Sequence, residues 1–156
     1  MLQLRTLIPL TLLALLPLSC SRGQAGTEAS TTTASSASLH EAPSFKVTLE
    51  AVGPYEKDKE GVAVVRLSAK GDYKVNDEYP FRFACQDPPA DGVSYPKPTL
   101  GRGDGKFGQK DAEIAVPFVP RKSGKLQVGG VFSLSVCTEA NCIMDKRPLV
   151  VDVTVP

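Results

Sequence analysis

The C-terminal stretch Val131–Val155 constrains this chain more than any other. In Val131-Phe132-Ser133-Leu134-Ser135-Val136-Cys137, Phe132, Leu134 and Val136 fall on one face and Ser133, Ser135 and Cys137 on the other. The final run repeats the pattern, with Leu149, Val151, Val153 and Val155 on one side and Asp152 and Thr154 opposite. Period two in runs rich in β-branched residues is the signature of strands with one buried face. The two runs read as a β-hairpin whose tip holds Cys137 and Cys142, with four residues between them. A turn brings two Cα atoms to the ~5–6 Å that a disulfide needs. Such a bridge closes a loop of only six residues, so its entropic contribution is small, roughly 2 kcal/mol. A bridge serving only as a staple would do better between distant segments. Two readings stand open: a pair that is made and broken, and an inert bridge.

The N-terminus bears on where those sulfurs sit. Residues 1–19 resemble a secretory signal, with Arg5 ahead of the almost wholly apolar run Thr6–Leu18. That run is too short for a comfortable membrane span. It ends in Leu16-Pro17-Leu18-Ser19-Cys20, which resembles a bacterial lipobox apart from Pro17. On that reading Cys20 becomes the lipidated N-terminus and anchors the protein without a transmembrane helix. The other reading is an ordinary signal peptide cleaved nearby. Ser21 after the cysteine resembles the usual choice for sorting to the outer membrane, facing the periplasm. Residues 20–44, rich in Ser, Thr and Ala, have too little apolar surface to offset ordering entropy and read as a flexible tether. Removing residues 1–19 takes one of the 18 basic side chains and none of the 17 acidic ones, leaving the two balanced. That balance argues for no nucleic-acid partner. An exported compartment permits disulfides. With Cys20 on the lipid, Cys85, Cys137 and Cys142 remain of the chain's 4 cysteines, and proximity makes Cys85 the spare.

The folded part, residues 45–156, reads as all-β. Phe45, Val47, Leu49 and Ala51 alternate with polar residues, and Gly61–Ala69 is more continuously apolar and so more central. Phe81, Phe83 and Cys85 share a face, which makes Cys85 a small buried hydrophobe. A long loop rich in Pro and Gly spans Gln86–Gln109, and Ala112–Val119 is a further strand. No amphipathic helix is found. Short strands separated by Gly/Pro turns predict an immunoglobulin-like antiparallel β-sandwich, with a closed barrel as the alternative.

Several motifs invite chemistry that their surroundings do not support. Gly103–Gly108 matches G-x-G-x-x-G, but Pro96 and Pro98 stand before it and a strand, not a helix, follows. Arg102-Gly103-Asp104 is the adhesion tripeptide in a Gly-rich turn. The hairpin offers two thiols where zinc wants four ligands, so no metal site and no cofactor is expected. The sole histidine, His40, lies in the tether stretch, which removes the usual base for a hydrolytic nucleophile. Thiol–disulfide exchange needs only accessible sulfur and a partner thiolate.

Phe132–Val155, with Cys-Thr-Glu-Ala-Asn-Cys inside the strand pair, resembles the N-terminal periplasmic domain of the DsbD-type thiol:disulfide interchange proteins. Val64–Cys85, with Lys70-Gly71-Asp72-Tyr73, and Ala112–Val119 extend the likeness over about residues 45–156. The resemblance implies an immunoglobulin-like fold in which Cys137 and Cys142 form a redox pair. The chain would then be a thiol:disulfide oxidoreductase component, relaying reducing equivalents to a thioredoxin-like or other periplasmic redox partner. It also suggests that the Gly-rich loop caps the pair with Phe107, whose plainer role would be to pin that loop to the sandwich. Ile143-Met144-Asp145-Lys146 stands where the family tends to place prolines. The family's membrane and thioredoxin-like domains have no counterpart in these 156 residues, so a separate partner is implied as reductant. The alternative is a non-catalytic immunoglobulin-like binding or structural module with a fixed disulfide.

The anchor is open to a direct check. Cys20→Ala is expected to give an unprocessed or soluble product. Retention of the variant in membranes after a carbonate wash would refute anchoring through Cys20.

Overall fold

A computed structural model describes residues 38–156, and the statements below concern those residues. The expected signal peptide (1–19), the lipidation site Cys20 and most of the tether lie outside them. The strands are β1 (Ser38–Glu41), β2 (Phe45–Ala51), β3 (Gly61–Ala69), β4 (Lys74–Val75), β5 (Arg82–Cys85) and β6 (Val93–Ser94). They continue as β7 (Thr99–Gly101), β8 (Gly105–Phe107), β9 (Asp111–Pro120), β10 (Gly124–Cys137) and β11 (Cys142–Val155). A 3-10 turn at Arg102–Asp104 is the only helical element among the described residues.

Two antiparallel sheets face each other across one core. In the first the order is β1-β2-β3-β9, with β6 and β8 along the far edge of β9. In the second it is β11-β10-β5-β7, and β4 continues the edge of β10 beyond the end of β5. The chain is thus the all-β, immunoglobulin-like sandwich expected from its alternating runs. The fully buried Phe45, Leu67, Ile114 and Phe118 come from the first sheet and Phe83, Phe132, Leu134 and Leu149 from the second.

The alternating runs bury the faces their periodicity assigns. Phe45, Val47 and Leu49 are inside, as are Phe132, Leu134 and Val136, and Leu149, Val151, Val153 and Val155. Strand β3 lies between β2 and β9, consistent with its nearly unbroken apolar sequence. Three segments are more ordered than their composition suggests. Strand β1 forms inside the stretch expected to be tether, pairing with β2 from Ser38↔Leu49 to Glu41↔Lys46. His40 therefore belongs to the sandwich, its ring 5.9 Å from that of Phe45. Within the expected long loop, β6 and β8 pair with β9, and β7 pairs with β5. Strand β10 runs straight through Gly129-Gly130, and β11 runs through Asp145-Lys146-Arg147-Pro148, so the hairpin pairs from Gly124↔Val155 to Cys137↔Cys142.

Gly130 has a specific job in this arrangement. A Cβ there would lie 2.3 Å from the Ala84 carbonyl and 2.7 Å from the Phe83 ring, so only glycine lets β5 and its phenylalanine close over β10. Beyond β5, Tyr95 takes over the edge: its hydroxyl accepts from Gly129 N at 2.9 Å and donates to Gly129 O at 3.1 Å. Pro117 fits a similar gap. On the outer edge of β9, β8 covers residues as far as Ile114 and β6 begins at Val119, so the position between them needs no N–H donor.

Cys85 sits where its alternation puts it, 8 % exposed among core residues, with its Sγ 3.5 Å from the Lys97 carbonyl. Burial pushes its thiol up to about 11. In the folded protein Cys85 is expected to alkylate slowly at neutral pH. Cys85→Ala should cost about 1–2 kcal/mol and leave the reduction behaviour of the hairpin cysteines unchanged. Rapid labelling of native Cys85 would place the thiol on the wrong face.

Candidate functional site

Parity along β10 brings the two sulfurs to the surface. The alternation that turns Phe132, Leu134 and Val136 inward turns Ser133, Ser135 and Cys137 outward. Cys142 begins β11 directly opposite Cys137. The two are bonded, with an S–S distance of 2.03 Å and Cα atoms 4.0 Å apart. Cys142 is exposed and Cys137 half-buried. The turn between them is tied to one side chain. Thr138 Oγ1 accepts from the N–H groups of Ala140 (3.3 Å) and Asn141 (3.2 Å) and donates to Asn141 Oδ1 at 2.9 Å. The backbone closes with Thr138 N–H to Asn141 O at 2.8 Å. Thr138 and Asn141 thus complete the local geometry that the Cys-x4-Cys spacing permits.

The difference in exposure between the two sulfurs comes from β4. This short strand pairs Val75 with Val136 and Lys74 with Cys137, and it is steadied by Val75 N–H to Gln109 O at 2.8 Å. Asn76 follows and binds β10 twice: its N–H donates to Ser135 O at 3.1 Å and its Nδ2 to Ser135 Oγ at 3.2 Å. Ser135 is consequently fully buried although it points away from the core. Its Oγ lies 4.0 Å from Cys137 Sγ. On the other side, opposite Ser135, Met144 is 70 % exposed.

An open groove of about 1030 Å³ runs from this corner between β4 and the turn, with Cys137 in its wall. Lys74, Asn76, Glu78, Lys110 and Glu139 are among its other lining residues. The ammonium of Lys110 is held by the carbonyls of Gly71 and Tyr73, each at 2.6 Å. Among the described residues no cluster of three or more His, Cys, Asp or Glu could hold a metal ion.

Phe107, the residue the resemblance offers as a cap, lies in β8. Its ring centroid is 5.0 Å from that of Phe81, and the Arg102 guanidinium sits 4.6 Å above it. Phe81 also contacts Tyr79 at 5.3 Å and stacks on Phe132 at 6.0 Å. The ring thus joins an aromatic cluster that fastens the Gly-rich segment to the sandwich. From that stretch of chain it is Gln109 and Lys110, rather than Phe107, that line the groove beside Cys137.

The adhesion-like tripeptide is occupied internally. Arg102 lies over Phe107 and hydrogen-bonds Asp77 Oδ1 at 3.2 Å. Asp104 accepts from Gly101 N–H at 2.8 Å, and its hydrogen bond with Lys97 holds the carboxyl below the usual carboxylate range. The glycine motif continues into β8 and then β9, with no helix to bind a phosphate. Sequence reasoning identified both cysteines but missed Ser135 and Asn76. The one available signal was a serine two residues before a cysteine on the same strand face.

No protein-family model matches this chain, and no curated protein does either.

Substitution of Phe107 separates packing from shielding. Phe107→Ala is expected to cost about 2 kcal/mol through lost ring contacts and to leave the rate of Cys137–Cys142 reduction by a small thiol unchanged. Faster reduction at unaltered stability would instead assign the ring to shielding the bridge.

Proposed function

We propose that the protein is an envelope lipoprotein that relays reducing equivalents through Cys137 and Cys142 to a periplasmic partner, as the resemblance to the thiol:disulfide interchange N-terminal domain implies. One observation carries this reading: the bridge is open to solvent at a place where it adds least to folding. Strands β10 and β11 pair along their full 14 residues, and the bridge ties only the last of those pairs, Cys137↔Cys142. Tying the last pair shortens a turn that hydrogen bonds already close. Access, by contrast, is what governs thiol exchange, and Cys142 is exposed while the third thiol, Cys85, is buried.

The chemistry needs sulfur alone. A thiolate of a separate donor dithiol attacks Cys142 Sγ, the more exposed sulfur. The Cys137–Cys142 bond breaks, and its electron pair leaves on Cys137 Sγ as thiolate. The partner's second thiolate then attacks its own sulfur in the mixed disulfide, releasing Cys142 and leaving the partner oxidised. In the onward step, Cys142 attacks the disulfide of a thioredoxin-like or other periplasmic acceptor and Cys137 resolves the mixed species, restoring the bridge. Two electrons enter in the first step and the same two leave in the second. Lipidated Cys20 and the tether would hold the domain at the outer membrane, within reach of both partners.

The second reading is a non-catalytic binding or structural module with a fixed bridge. The turn favours it, since the hydrogen bonds of Thr138 with Ala140 and Asn141 hold the two cysteines side by side, which opposes separation of the sulfurs on reduction. A redox titration of the purified protein separates the two. Exchange requires a midpoint at or above about −300 mV, whereas a value far below it is typical of structural bridges. The lower value would end the relay reading.

A further inference from the structure

From the buried corner behind the bridge we infer that Ser135 is a positioning residue for Cys137: its hydroxyl donates to the Cys137 thiolate and makes that sulfur the better leaving group. The inference rests on the exchange reading above. Its physical basis is a directed chain of hydrogen bonds. Asn76 Nδ2 donates to Ser135 Oγ at 3.2 Å, which occupies a lone pair and leaves the hydroxyl proton to point elsewhere. The Cys137 sulfur, 4.0 Å away, is the acceptor on that side. Asn76 cannot readily turn over, because its Oδ1 accepts from Glu78 N–H at 3.0 Å. Its backbone N–H is also committed, to Ser135 O at 3.1 Å. Ser135 is 0 % exposed, so water does not compete for its hydroxyl.

In the disulfide the sulfur is a weak acceptor and the contact is long. When the bond opens, the electron pair arriving on Cys137 Sγ turns it into an anion, which attracts the same hydroxyl far more strongly. Stabilising the anion lowers the thiol pKa, and a leaving thiol of lower pKa departs faster. Among the described residues no hydroxyl stands against the sulfur of Cys142, which is exposed at the start of β11. The two sulfurs are thereby made unequal by a residue that touches neither partner protein.

Other charges face Cys137 and set the background. Lys74 lies opposite it on β4, and Asp72, Asp77 and Glu78 stand in the groove wall on the same side. Glu139 faces it from the turn and Lys110 from the segment before β9. None of these changes when Ser135 is altered, so a difference between variants isolates the hydroxyl.

The test reads the Cys137 thiol directly. In Cys142→Ala protein, alkylation by iodoacetamide is followed against pH on the peptide that carries Cys137, which separates it from Cys20. Cys85, buried and titrating at about 11, stays silent over the neutral range. Adding Ser135→Ala is expected to raise the midpoint by about one pH unit and to slow alkylation at pH 7 several-fold. Ser135→Thr, which keeps the hydroxyl, is expected to restore most of the shift where circular dichroism shows the fold intact. Asn76→Ala leaves β10 untouched, and by releasing the hydroxyl's orientation it should raise the midpoint by a smaller amount. An unmoved midpoint in whichever of Ser135→Ala and Asn76→Ala folds overturns the inference. The readout needs no exchange partner. An unmoved midpoint with an exchange-range redox potential removes Ser135 alone, and a shifted midpoint with a potential far below about −300 mV removes the relay reading instead.

Discussion

The pairing of Gly124–Cys137 with Cys142–Val155 is the interaction on which the rest of the sandwich depends. It supplies one half of the core, through Phe132, Leu134 and Val136 on β10 and Leu149, Val151, Val153 and Val155 on β11. It also presents the edge on which β5 and β4 assemble. A slip of one residue would turn every one of those side chains to solvent, so the register is held by the whole buried face rather than by any single contact. The same register decides the chemistry at the tip. Cys137 has the parity of Ser133 and Ser135, and its bridge to Cys142 therefore lies on the outside. Cys85 has the parity of Phe83 and is lost to the core. Two cysteine environments of opposite exposure follow from the same rule of alternation.

What the sequence made legible, and what it did not, divides along the origin of the stabilising contacts. Segments that carry their own apolar alternation could be read directly: Phe45–Ala51, Gly61–Ala69, Phe81–Cys85 and the two hairpin runs. Segments made into strands by a neighbour could not. Ser38–Glu41 has the composition of a tether and becomes β1 because β2 offers an open edge. Val93–Ser94, Thr99–Gly101 and Gly105–Phe107 are too short to show a period, and they are extended because β9 and β5 present unpaired backbone. Asp145-Lys146-Arg147 looks like a loop by polarity, yet Arg147 and Asp145 stand in register with Phe132 and Leu134 and pair with each other in a half-buried position.

The candidate site shows the same division. The cysteine pair is local and was visible from its spacing. The contacts around it are not local: Asn76 reaches Ser135 across 59 positions of the chain, and Gln109 steadies β4 from a third segment. Phe107 illustrates a different limit. Sequence reading found an aromatic among glycines, and only the fold distinguishes a ring that could swing over the bridge from one packed between Phe81 and Arg102. Glycine spacing signals conformational freedom, but here β-pairing with Ala112–Ile114 takes that freedom away.

Strand β11 stands at the end of its sheet, and this has a consequence for association between copies of the chain. An edge strand of 14 residues is a template on which another chain could add itself. Pro148 offers no N–H to an incoming strand, and Lys146 and Arg147 bring two cations to the same stretch. An invading chain would find the backbone interrupted at the proline, with one run on either side of it. The hairpin thus keeps its sulfurs at an edge of the sheet whose run of backbone donors is broken at Pro148.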